Sequence, residues 1–193
     1  MQILLAVLAL LPASALEQPN TAKSVVETII ERVRHLDDKA THSDSAHIIE
    51  GLVDFKTLAT NALGNRASSA SGAQKHEIEE LLRKIITKTI YPEAPKFFRD
   101  VKIDFTAEEN AADLRAHVTS VITKAEKRST VEYWLAKEAS GYRVVDLAIE
   151  GERWVENVHD QFDEIIGKKG VAGLIAKMNK RLNELDSKPA RKN

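Results

Sequence analysis

Val144-Val145-Asp146-Leu147-Ala148-Ile149-Glu150-Gly151 is where the chain changes period. Up to Ile149 the residues read as a buried strand. Beyond Gly151 the apolar residues recur at helical spacing, first as Trp154, Val155, Val158, Phe162, Ile165 and Ile166. After a glycine break they resume as Val171, Leu174, Ile175, Met178, Leu182 and Leu185. The order is strand, sharp Glu-Gly exit, helix over 152–166, break, helix over about 169–186. Glu150 is expected near the N-terminus of the first of these helices, where the dipole favours an acid. Gly151 is expected to take a backbone shape that a Cβ would resist.

Upstream the period is two. Val101, Ile103 and Phe105 alternate with Lys102 and Asp104, which predicts a strand, with Glu108-Glu109-Asn110 as its turn. A second strand is expected over Asp113 to Thr123 and a third over Ser129 to Lys137. Ser140-Gly141 turns into the fourth, Tyr142 to Ile149. Four consecutive strands with short connections imply an antiparallel meander. Alternation places Val145, Leu147 and Ile149 on one face of the fourth strand, and Val144, Asp146 and Ala148 on the other.

Before residue 100 the period is helical. Val25, Val26, Ile29, Ile30, Val33 and Leu36 predict a helix from Thr21 to about Lys39. Ser43 or Asp44 offers an N-cap for a second helix. Asp54-Phe55-Lys56 opens a third, which ends at Leu63 with Gly64 as C-cap. Asn65 to Gly72 reads as a loop. Ser71 caps a long helix, Ala73 to about Ile90, with Ile78, Leu81, Leu82, Ile85 and Ile86 on one face; Pro92 and Pro95 end or kink it. The fold class is therefore α+β: a four-stranded, curved antiparallel sheet with helices packed on it, an arrangement that can enclose an apolar cavity.

Residues 1–15 have the pattern of a signal peptide: an apolar run from Ile3 to Leu11, then Pro12, then an Ala13-Ser14-Ala15 cleavage site. The run is shorter than the roughly 20 residues a membrane span needs. Cleavage would leave 193 − 15 = 178 residues: one domain over 16–186 and a basic tail over 187–193. A chain of this size buries roughly 70% of its extended surface. It contains no cysteine, so packing alone holds it in an oxidising compartment. With 28 basic and 29 acidic residues, no basic excess points to nucleic acid or to a polybasic membrane anchor.

Motifs for chemistry are missing. The six histidines show no HExxH spacing, and there is no GxSxG elbow, GxGxxG turn or P-loop. Asp146 is the single charge in an apolar strand, and two readings stand. It is a general base in a cavity, working with His117 from another strand, or a carboxylate at the sheet–helix edge that accepts hydrogen bonds. The more apolar face excludes Asp146, which favours the second.

The block from Val144 to Gly151, with Gln161-Phe162 and Gly170 to Leu174 behind it, resembles the C-terminal signature of the MlaC (toluene-tolerance) family. Leu52-Val53-Asp54-Phe55, Ala62-Leu63-Gly64, and Gln74 with Ile78 and Leu82 extend the resemblance over about 54–185. The chain departs from the family pattern at Asn65-Arg66-Ala67, where a Trp is common, and at Ile78 and Leu82, where Phe is common. The resemblance implies a periplasmic phospholipid carrier with no cofactor and no catalytic residue. It also implies transient partners, an outer-membrane lipoprotein complex and an inner-membrane ABC transporter complex, without stable membrane insertion. A monomer is expected. On the same basis the lipid tails are expected against Leu82, Ile86, Phe97, Tyr133, Leu135, Val145, Leu147, Ile149, Val158 and Phe162. The rival expectations are an enzyme using Asp146 and His117, and a periplasmic adaptor whose apolar faces are all core.

Overall fold

A computed structural model describes residues 21–111 and 115–187. The expected signal peptide with its cleavage site, and all of the basic tail but Ser187, lie outside the described residues. Five antiparallel strands follow one another as a meander: β1 (Lys102–Asn110), β2 (Arg115–Lys124), β3 (Lys127–Glu138), β4 (Gly141–Ile149) and β5 (Glu152–Arg153). The helices are α1 (Ala22–Arg34), α2 (His42–Leu52), α3 (Phe55–Leu63), α4 (Gly72–Ile90), α5 (Ala94–Phe98) and α6 (Trp154–Ser187).

The fifth strand was not anticipated, and its cause is the Glu-Gly turn. Ile149 pairs with Glu152, so Glu150 and Gly151 form a two-residue hairpin loop, and both have positive φ, 53° and 81°. That is the backbone of a type I′ turn, whose twist matches the strands it joins. Glu150 consequently sits at a strand edge and not at a helix start. Its backbone N–H donates to the Thr130 carbonyl, and its carboxylate accepts the Thr130 N–H at 2.7 Å.

Other boundaries differ for local reasons. α1 stops at Arg34, five residues early, where His35 turns back to Arg32 and Val33. α2 starts at His42, and neither Ser43 nor Asp44 caps it. The expected loop over 65–72 is mostly a 3₁₀ turn, Gly64–Ser69. β1 runs on through Glu108-Glu109-Asn110, which pair with His117 and its neighbours instead of turning. Pro95 falls in the first turn of the short α5, where its missing N–H costs nothing. Ser71 does cap α4, in a reciprocal capping box with Gln74.

Side chains paired across the strands share a face. Ala116, Val118, Ser120 and Ile122 of β2 align with Leu135, Tyr133, Val131 and Ser129 of β3. On β4, Leu147 faces Tyr133, but Leu135 faces Val144, so Val145 is an extra residue in a bulge. The bulge breaks the alternation assumed from sequence: Val144 and Leu147 join one face, and Val145 drops out. That face packs on α1 through Ala22, Val25, Val26 and Ile30. Beside the bulge, the Val144 carbonyl accepts the Asp54 N–H at 2.9 Å, tying the α2–α3 junction to the sheet.

A second core joins α3, α4 and α6: Phe55, Leu58, Leu63, Ile78, Leu82, Phe162, Ile166, Leu174 and Met178. α6 is two helical segments that meet at a kink at Gly170 (φ 67°, ψ 179°), a backbone region that only glycine enters readily. The segments on either side, 154–169 and 171–187, both contribute to this core.

Candidate functional site

A cavity of about 970 Å³ lies between α4 and the two segments of α6. Helical spacing explains its wall. Leu82, Ile85 and Ile86 lie on one side of α4, about two turns of which (Leu82 to Ile90 span about 12 Å) run along the cavity. Trp154, Val158, Phe162 and Ile165 face them from the first segment of α6, and Leu174 and Met178 from the second. The break at Gly170 lets both segments reach the same space. At the far end the Lys88 ammonium of α4 meets the Asp186 carboxylate of α6 at 2.5 Å.

α3 holds the cavity's frame from behind. His159 Nδ1 donates to the Ala62 carbonyl at 3.1 Å, since a carbonyl can only accept. Gly64 (φ 50°) lies against the same ring so closely that a Cβ there would sit 2.5 Å from it. Next to it the Arg66 guanidinium binds Asp163 of α6 at 2.6 Å. That hydrogen bond and the adjacent positive charge hold the exposed Asp163 carboxyl below the usual range.

The cavity's edge is charged. Lys168, Lys169, Lys177, Lys180 and Arg181 line it with the carboxylates of Glu164 and Glu184. Glu164 accepts from Lys168 at 2.6 Å, and that hydrogen bond is the main reason its carboxyl lies below its ordinary value. Its lining includes no serine, cysteine or histidine among the described residues.

The ten residues expected against lipid do not come together in one place. Leu82, Ile86, Val158 and Phe162 come together in the cavity wall. Tyr133, Leu135 and Leu147 lie on the sheet face that α1 covers, and Leu135 is fully buried there. Val145 occupies the bulge, while Ile149 is 52% exposed at the hairpin. Phe97 is 45% exposed on α5, edge-on to Phe98 with the Lys124 ammonium over its ring. The cavity is therefore walled by helices, not by sheet and helices: α1 already fills the sheet's apolar face. Sequence periodicity missed Ile85, Ile165, Leu174 and Met178 as cavity residues, although each was visible on an apolar helical stripe.

Asp146 and His117 do not form a site together. They project from the sheet face opposite α1, with Trp134 between them in register. His117 stacks on Trp134 and lies 3.2 Å from Glu132. The Asp146 side chain is buried and accepts from Arg153 Nε and Nη2 at 2.7 and 2.6 Å, from the Leu147 N–H at 2.8 Å and from the Val155 N–H at 3.1 Å. Val155 is the second residue of α6, so a strand carboxylate caps a helix start from outside it, where the dipole favours negative charge. The Arg153 guanidinium lies over the Trp134 ring at 4.3 Å. The hydrogen-bonding reading of Asp146 is the one its geometry matches.

The family model described as "MlaC protein" matches residues 19–180. The chain belongs to the MlaC family. Among solved structures, a phospholipid-binding protein from Ralstonia solanacearum, determined in complex with a phospholipid, has a similar fold. It is 22% identical, with a TM-score of 0.73 over 86% of this chain and 96% of that one. No curated protein matches. As an MlaC-family member the chain has the helix-on-meander architecture expected from its residues. No helix among the described residues is long and apolar enough to cross a membrane, and no three potential metal ligands cluster there.

Proposed function

We propose that this protein is a periplasmic phospholipid carrier, which takes lipid through water between an outer-membrane lipoprotein complex and an inner-membrane ABC transporter complex. The observation that carries the reading is the cavity of about 970 Å³ between α4 and α6, aliphatic in its walls and charged only at its edge, in a chain of the MlaC family. The phospholipid held by the structural neighbour supports the same ligand class. The energetics demand such a container. At about 0.8 kcal/mol per methylene, a two-chain lipid of some 30 methylenes costs about 25 kcal/mol to move bare through water. A single leaflet of hydrocarbon is about 15 Å deep, close to the length of α4 along the cavity. A carrier forms and breaks no covalent bond, so its wall requires shape and dryness, with polar groups only where the ligand meets water.

The test compares Ile86→Glu with wild type. Ile86 is half-buried in the cavity wall, so a carboxylate there can turn to water and the fold should persist. The expected result is a native circular dichroism spectrum with bound phospholipid reduced at least tenfold, because a charge in an apolar wall costs several kcal/mol. Unchanged lipid content in the folded variant would remove the α4–α6 cavity as the lipid site.

A further inference from the structure

The edge of the cavity carries more positive charge than its ligand-free neighbours can neutralise. Lys168, Lys169, Lys177, Lys180 and Arg181 contribute five cations, against the carboxylates of Glu164 and Glu184. Glu164 is taken by Lys168 at 2.6 Å, and Glu184 lies 4.0 and 3.8 Å from Lys180 and Arg181. Five minus two leaves an excess of three positive charges. The whole chain has a net charge of −1, so this excess is local and not compositional. Lys169, immediately before the Gly170 break, has no carboxylate within 4.0 Å among the described residues. Lys177, two turns into the second segment, has none at that distance either, although its charge helps to keep Glu164 ionised.

An amphiphile whose tails lie between α4 and α6 must leave its polar head at this edge. A choline or ethanolamine head carries its own cation beside the phosphate and arrives neutral. A glycerol head leaves the phosphate charge uncompensated. Lysine binds phosphate as a compact point charge, without the planar geometry arginine needs, so an edge of mobile lysines reads charge and not headgroup shape. We propose that this cavity selects phospholipids whose headgroup is net anionic, and that Lys169 and Lys177 are its specificity determinants. The inference rests on the carrier reading and names its ligand class.

The experiment uses the full mature chain, delipidated and equilibrated with vesicles equimolar in dioleoyl phosphatidylglycerol and dioleoyl phosphatidylcholine. Protein is separated by gel filtration, and both lipids are counted after extraction. Exposed charge pairs each give a factor of about 1.5 to 5, so the glycerol lipid should be enriched about fivefold at low salt. The enrichment should fall toward unity as salt rises from about 0.05 to about 0.5 M, as the screening length shrinks. Lys169→Gln with Lys177→Gln should abolish it, and Lys169→Arg with Lys177→Arg should retain it. Melting temperatures of both variants report that they are folded. Inorganic phosphate added at constant ionic strength should not alter the ratio, since the head is tethered by its tails. Equal binding of the two lipids by wild type, enrichment that survives the double Gln variant, or enrichment abolished by free phosphate would each overturn the proposal. Failure to bind either lipid would instead remove the carrier reading, and this inference with it.

Discussion

Replacing Asp146 by Ala should be among the most destabilising changes available outside the two cores. The carboxylate receives two backbone N–H groups, from Leu147 and Val155, and two N–H groups of Arg153, all between 2.6 and 3.1 Å. Alanine leaves the buried Val155 N–H without a partner, which costs about 1–3 kcal/mol. The Leu147 N–H, only half-buried, adds about 1 kcal/mol. The Arg153 side chain is 39% exposed and regains water, so its share is held to about 0.5 kcal/mol. The sum is about 2.5–4.5 kcal/mol, which overlaps the range for a buried pair that loses one partner. For a domain of this size each kcal/mol moves Tm by about 2–4 °C, so the melt should fall by about 10 °C. Asp146→Asn keeps one acceptor oxygen and should lose about half as much. Urea unfolding followed by circular dichroism measures both. A loss below about 0.5 kcal/mol for Asp146→Ala, the level of an ordinary surface substitution, would show that the strand carboxylate does not hold the start of α6.

Further predictions concern backbone, core and pH. Gly170→Ala should cost about 1–3 kcal/mol in a urea titration, because φ 67° with ψ 179° is closed to a residue with Cβ. Gly64→Ala should be at least as damaging, since the new methyl meets the His159 ring. Gly51→Ala has open space in α2 and should stabilise by about 0.5–1 kcal/mol. Leu135→Asp, on the face covered by α1, should unfold the protein and not merely empty it, visible as loss of the cooperative melt. Glu80 is held below its ordinary value of 4.5 chiefly by its hydrogen bond from Arg83. Its contribution to stability is therefore full above that pH and lost as pH falls below it. Glu80→Gln should flatten the acid limb of a stability–pH curve, and an unchanged limb would contradict this.

Periodicity made most of the elements legible. The alternation from Val101 to Phe105 and the stripes along α1, α4 and α6 each describe one element's own faces, which local sequence encodes. What it did not encode is which element covers which face. The apolar stripe of α1 (Val25, Val26, Ile30) was plain, but nothing local says that it fills the sheet and leaves the open space between α4 and α6. The bulge at Val145 has no residue signature either, since valine is at home in any strand, and a one-residue slip reassigns every later side chain. Glu150-Gly151 was a readable signal that pointed to the wrong element: a pair suited to a tight hairpin was assigned to a helix start. Asp146 was singled out correctly as odd, yet its partners come from Arg153 and Val155, placed by that same hairpin.

The most direct test of the carrier account is the mass of the native protein. Purified from the periplasm of the cells that make it and sprayed under non-denaturing conditions, it should carry the added mass of an intact phospholipid, recovered chemically unchanged on extraction. The bare polypeptide mass would contradict the account. So would lysophospholipid or free fatty acid in place of the intact lipid, which would point to a hydrolase.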